Sequence, residues 1–243
     1  MTLKIERLVK RFGGLVAVNG LTFEYTGDAP LGIVGPNGSG KTTSFNLITG
    51  FLKSDTGTIR LGDRDITNLA PAAIARLGLR RTFQQTMFFA GRTVRESLEI
   101  GMYAIGSGAR DAAFGGEPDP IDFLLDMCGL SQQAERIADE LPFGYSRLLG
   151  IAMALTGPCR VLLLDEPAAG MSDAEADTLA RVVRQIGARG VGIIIVDHNT
   201  SFLFDLCPRV LVLDKGELIA DGGPAAIRND PKVGAAYLGV ADA

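Results

Sequence analysis

GPNGSGKTT, residues 35–43, lies between an apolar run, Leu31 to Val34, and a helical stretch from Thr42 through Ile48. It fits the spacing G-x-x-x-x-G-K-[ST], with Gly35, Gly40, Lys41 and Thr42 at the fixed positions. Strand, glycine-rich loop and helix in that order make a phosphate-binding loop. The glycines let the backbone turn sharply enough for successive N–H groups to converge on an anion. The helix N-terminus adds partial positive charge, and Lys41 adds a full one. The loop positions Asn37, Gly38, Ser39 and Thr43 belong to the same cradle, and the Thr42 hydroxyl is placed for a magnesium ion that travels with nucleotide. The stretch reads as a nucleoside triphosphate site.

A chain of 243 residues, 47% hydrophobic, accommodates one large α/β domain, or a domain with a small inserted subdomain. The net charge of −4 excludes a general nucleic-acid binder, so no nucleic-acid partner is expected. Cys128, Cys159 and Cys207 lack metal-ligand spacing and suit buried thiols in a reducing compartment. The opening MTLKIERLVKRF mixes charge with apolar residues, unlike a signal peptide. No apolar run is long enough to cross a bilayer, so any membrane association is expected to come through a partner.

Leu3 to Val9 alternates as a half-exposed strand does, and Leu15 to Tyr25 holds two short strand-like pieces. Gly57 to Leu61 with the Gly62–Asp63 turn suggests a hairpin edge, so the N-terminal strands predict an antiparallel layer beside a main sheet. Pro71 to Leu77 reads as a helix. Arg92–Tyr103, Pro120–Cys128, Ser131–Leu141 and Ser146–Leu155 have helical spacing, with a glycine- and proline-rich loop at Gly106–Pro120. Val161–Leu164 and Ile193–Val196 are the continuous apolar runs of buried parallel strands, separated by the helical stretch Asp173–Ala188. A strand pair, Arg209–Asp214 and Glu217–Ala220, and two helices, Pro224–Asn229 and Pro231–Leu238, finish the chain.

VLLLDEP, residues 161–167, places two carboxylates at the C-terminal end of a buried strand, where open α/β sheets bind ligands. Asp165 is the expected magnesium ligand, directly or through water, and Glu166 the group that polarises the attacking water. His198, the single histidine, follows a second buried strand and is expected to reach a γ-phosphate oxygen. Gln84 is a candidate for magnesium or the attacking water, and spacing does not exclude Gln85.

Together, GPNGSGKTT, Gln84, LPFGYSR at 141–147, VLLLDEP and His198 resemble the ATPase subunit of ABC transporters, over nearly the whole chain. The resemblance implies a fold class of α/β type, a P-loop NTPase of the ABC ATPase fold, with an antiparallel β layer. It also implies a helical subdomain at about 86–154 inserted in a single domain spanning 1–243. Catalytic roles then fall to Glu166, His198, Gln84 and Lys41. Magnesium falls to Thr42, Gln84 and Asp165. Phe12 takes the place where an aromatic stacks on adenine, and Gly144 faces a phosphate. Ala169–Ser172 lies where two subunits meet.

The stretches RFGGLVAVNGLTF (11–23), RRTFQQTMFF (80–89), LDEPAAGMS (164–172) and IRNDPKVGAAYLG (227–239) are similar to the ATPases of branched-chain amino acid importers. That likeness implies ATP and Mg2+ as ligands and a second ABC ATPase subunit as partner, with two ATPs buried between the two chains. It implies transmembrane permease subunits, with a periplasmic solute-binding protein acting indirectly. The location implied is the cytoplasmic side of the inner (plasma) membrane. Met87 to Phe89 either docks a permease helix or packs locally. The signature departs from the usual Leu-Ser-Gly-Gly-Gln: Pro142 replaces the hydroxyl residue and Tyr145 the glutamine. The helical block is also short and glycine-rich for this subfamily. Two other readings are a soluble ABC-type ATPase uncoupled from a membrane and a nucleotide-binding module with impaired catalysis.

Overall fold

A computed structural model describes residues 2–83, 89–104, 114 and 117–238. Gln84, Gln85, Met87 and most of the Gly106–Pro120 loop lie outside the described residues.

The middle of the main sheet is built from strands made almost wholly of apolar residues. β3 (Leu31–Val34), β7 (Val161–Asp165) and β8 (Gly192–Val196) are buried along their whole lengths. The reason is that both faces are covered. Leu162, Leu164, Ile193 and Ile195 point into one core, whereas Val161, Leu163, Ile194 and Val196 point into the other. A strand with two buried faces has no polar position to alternate with. With β6 (Leu79–Arg81), β9 (Arg209–Asp214) and β10 (Glu217–Gly222), the strand order is β10-β9-β3-β8-β7-β6. β9, β3, β8, β7 and β6 run parallel, and β10 returns antiparallel along β9.

A second sheet, order β2-β1-β4-β5, joins β1 (Leu3–Phe12), β2 (Leu15–Tyr25), β4 (Thr56–Leu61) and β5 (Arg64–Asp65). All of its pairings are antiparallel, as the alternating N-terminal pattern predicts. Leu15–Tyr25 forms one strand rather than two pieces. Its register against β1 shifts three times, and Gly20 takes φ +70°, so bulges bend the ladder without ending it. The core that Val161, Leu163, Ile194 and Val196 enter is filled between these two sheets and α1 (Lys41–Ile48), around the fully buried Phe45.

Helices α2 (Pro71–Arg76), α3 (Val94–Tyr103), α4 (Pro120–Met127) and α5 (Phe143–Ala154) follow in the chain. α3, α4 and α5 all fall between β6 and β7. The expected helix Ser131–Leu141 is instead two short 3-10 turns, Ser131–Gln133 and Ala138–Glu140. The carbonyls of Ala134 and Arg136 accept from the N–H groups of Arg95 and Val94, and Ile137 bridges Thr93. Those carbonyls serve the open donors at the start of α3 and are not available to close a helix of their own. α5 begins three residues before the predicted Ser146, because Pro142 supplies an extended cap at φ −53°, ψ 150°. The chain ends with α6 (Asp173–Ala188), α7 (Thr200–Leu206), α8 (Pro224–Arg228) and α9 (Pro231–Leu238). Among the described residues no helix is long and apolar enough to cross a membrane.

One buried hydrogen bond ties the two sheets together. The Ile193 N–H at the start of β8 donates to the Tyr25 hydroxyl at the end of β2, 2.6 Å away. Burial pushes the Tyr25 phenol up to about 12, partly offset by that N–H. Tyr25→Phe keeps the ring but strands the Ile193 donor, and is expected to lower unfolding free energy in urea by about 1–3 kcal/mol. An unchanged urea midpoint and slope would show that this bond does not hold the layers.

Candidate functional site

The site lies where β3, β8 and β7 end. These neighbours in the parallel sheet deliver, in turn, the loop at 35–40, the segment Asp197–His198 and the pair Asp165–Glu166. Residues distant in sequence therefore meet at one edge, as the C-terminal ends of such sheets allow.

The loop has the backbone its glycines predict. Gly38 sits at φ +79° and Gly40 at φ +98°, a left-handed region that other residues enter at a cost. A Cβ at Gly40 would stand 2.5 Å from the Ala17 carbonyl, so β2 packs directly against the loop's end. Lys41 is the first residue of α1 and is 7% exposed. Its Nζ donates to the carbonyls of Gly35 (2.6 Å) and Pro36 (2.9 Å), spanning the loop from within. Burial lowers its pKa, and the nearby charges of Glu166 and Asp165 oppose that shift. Lysine and carboxylates thus share one local field. Ser39 is buried, Thr43 partly so, and Asn37, Gly38 and Thr42 face solvent at the loop's mouth. Phe12, at the end of β1, is 46% exposed with the Lys10 ammonium 5.5 Å from its ring centre.

At the end of β7, Glu166 adopts φ +47° while its N–H donates to the Val196 carbonyl at 2.7 Å. A left-handed glutamate is costly, and such strain gathers at functional positions. The turn directs the glutamate toward β8, where its Oε2 lies 3.9 Å from His198 Nδ1. The imidazole is 62% exposed and Glu166 22%, so both face solvent at the mouth of the site.

Sequence reasoning missed Arg81, Asp197 and Glu175. Arg81 pairs with Asp165 at 2.6 Å, both side chains nearly buried. Asp197, fully buried, accepts from Ala168 N–H through Oδ2 (3.0 Å) and from Asn199 N–H through Oδ1 (2.9 Å). It fastens the loop after Glu166 to the segment carrying His198. Burial raises its pKa; the two N–H bonds and His198 pull the other way. Glu175 closes a capping box on Ser172 at the start of α6, the one signal for it visible as S-x-x-E in the sequence. Its other oxygen lies against Gly144, where a Cβ would stand 2.5 Å from Oε1. The Ser172 N–H and hydroxyl, helped by the Gly144 N–H, hold the Glu175 carboxyl below its usual range. Gly144 thus faces Glu175 of its own chain.

The oxygen donors of Thr42 and Asp165 suit a hard divalent cation, and the open N–H cradle with Lys41 suits phosphate. Asp197→Asn would leave one of its two backbone donors facing an amide NH2. It is expected to cost about 1–3 kcal/mol of stability in chemical denaturation. Equal stability of the variant would show that the carboxylate does not bind these two loops together.

Comparison with known proteins gives the family. Residues 18–169 match the family described as ABC transporter, and residues 217–243 match the branched-chain amino acid ATP-binding cassette transporter family. The chain is 36% identical over 250 residues to the high-affinity branched-chain amino acid transport ATP-binding protein LivG of Salmonella typhimurium, covering 98% of each. It is 34% identical over 250 residues to BraF of Pseudomonas aeruginosa, a protein of the same description, again covering 98% of each. Among solved structures, the ADP conformation of MJ1267, an ATP-binding cassette of an ABC transporter, superposes with a TM-score of 0.85. That structure is 32% identical, with 98% of this chain and 99% of that one covered. The chain belongs to the ABC transporter family as one of its ATP-binding cassettes.

Proposed function

We propose that this chain binds and hydrolyses ATP with Mg2+ as the motor subunit of an importer for branched-chain amino acids or related small polar solutes. The observation that carries the reading is the meeting of Lys41, Asp165, Glu166 and His198 at three adjacent strand ends. The solute class is supported by the names of the LivG and BraF relatives and by the match of the C-terminal residues.

In this reading the loop N–H groups and Lys41 bind the phosphates, and Phe12 offers an exposed ring for the base. Thr42 and Asp165, with Gln84, would hold magnesium, which when bound neutralises phosphate charge. Glu166 orients and deprotonates the attacking water, and His198 donates a hydrogen bond to the γ-phosphate. Asp197 keeps these two in register. Electrostatic positioning of this kind supplies most of the rate in phosphoryl transfer.

A single chain covers only one side of the nucleotide. The start of α5 in a facing ABC subunit supplies the other side, through Gly144. Pro142 contributes neither hydroxyl nor N–H there, and Glu175 already lies against Gly144, so an incoming phosphate must displace a carboxylate. Engagement across the dimer is therefore weaker than with an intact signature. The helices between β6 and β7 form the subdomain that meets the permease subunits. The assembly sits on the cytoplasmic side of the membrane, with a periplasmic solute-binding protein beyond.

Glu166→Gln is expected to reduce steady-state ATP turnover by at least about 100-fold, the scale of a lost general base, while ATP affinity is kept. Substantial residual hydrolysis would assign the base to another residue. Loss of ATP binding as well would remove the glutamate from catalysis altogether.

A further inference from the structure

We propose that Arg81 is a positioning residue for the magnesium carboxylate: it neutralises Asp165 and occupies one of its oxygens, so that the divalent cation binds together with nucleotide and not ahead of it. The inference rests on the nucleotide site proposed above and adds a residue to it.

Arg81 is the last residue of β6, paired in parallel register with Leu163 of β7. This places its side chain beside Asp165, two positions further along the neighbouring strand. Nη2 meets Asp165 Oδ2 at 2.6 Å, with the two side chains 7% and 5% exposed. Buried to this degree, the pair is screened less than an exposed one.

The guanidinium is also held by groups other than Asp165. Nη1 donates to Asn46 Oδ1 at 2.5 Å, on the helix that follows the phosphate loop, and more weakly to Thr49 Oγ1 at 3.4 Å, at that helix's C-terminal cap. Three aromatic rings surround it, with centroids 5.1 Å (Phe83), 5.8 Å (Phe45) and 6.0 Å (Phe51) from Cζ. The cation is therefore built into the floor of the site and would stay there whatever Asp165 did. A guanidinium is a permanent cation with a rigid fork, suited to bridging a carboxylate and an amide at once.

Two consequences follow for Asp165. Its Oδ2 is committed to Arg81, which leaves Oδ1 for a metal or a metal-bound water. A metal approaching Asp165 also meets a positive charge within a few ångströms, and must be compensated by anionic oxygens from elsewhere. Nucleotide phosphates on the adjacent loop are such a source. Without them, the Asp165–Arg81 pair presents no net charge to attract a divalent cation.

The test uses Mn2+ as the probe, followed by electron paramagnetic resonance on the whole chain, with and without ADP. Nucleotide affinity in EDTA is measured in parallel. Nucleotide-free wild type is expected to bind Mn2+ weakly, and Arg81→Met to bind it at least about tenfold more tightly because a neighbouring charge is gone. Arg81→Lys keeps the charge and is expected to stay within about threefold of wild type. Nucleotide affinity in EDTA should change little in either variant.

A purely structural role would weaken both measurements in both variants. The proposal is overturned if Arg81→Met binds nucleotide in EDTA as wild type does, yet shows unchanged or weaker nucleotide-free Mn2+ binding. It is equally overturned if Arg81→Lys tightens Mn2+ as much as Arg81→Met. Should Arg81→Met fail to fold, Arg81→Gln, whose amide keeps a hydrogen bond to Asp165, carries the same comparison. If wild type binds no nucleotide under any condition, it is the nucleotide reading that fails.

Discussion

The parallel pairing of β3, β8 and β7 is the constraint on which the rest depends. It brings together groups that the chain separates by more than a hundred residues. Each strand is buried on both faces. The polar residues begin where the apolar runs stop. Chemistry is confined to one rim, and its geometry is inherited from that ladder.

Around that rim the charged groups are held in pairs. Lys41 is tied to carbonyls of its own loop, Asp165 to Arg81, Asp197 to two backbone donors and Glu175 to Ser172 beside Gly144. Lys41 and Asp165, proposed to meet phosphate and metal, thus each have an internal partner. Ligand binding becomes an exchange of partners, which lowers intrinsic affinity and makes each step depend on the one before it. For a motor protein such dependence is useful, since it orders events that would otherwise occur singly.

Much of this was legible in the sequence. The phosphate loop follows from glycine spacing, the buried strands from uninterrupted apolar runs, and the antiparallel layer from alternation near the N-terminus. Asp165, Glu166 and His198 stand out because polar residues end apolar strands. What was not legible depends on pairing between strands and helices far apart in the chain. Arg81 and Asp165 are 84 positions apart, and only the β6–β7 register shows that they touch. Asp197 was visible as a strand terminus, but its grip on Ala168 was not. The Ser131–Leu141 segment carried helical spacing yet gives its carbonyls to α3, a tertiary demand that outweighs local preference.

The account stands or falls on whether a nucleoside triphosphate occupies the cradle spanned by Lys41. The most direct measurement is the equilibrium affinity of the purified chain for ATP with Mg2+, set beside that of Lys41→Ala. Saturable binding by wild type, weakened at least about tenfold in the variant by loss of a charge-assisted contact, is the predicted result. Equal affinity of the two proteins, or none in wild type, would contradict it.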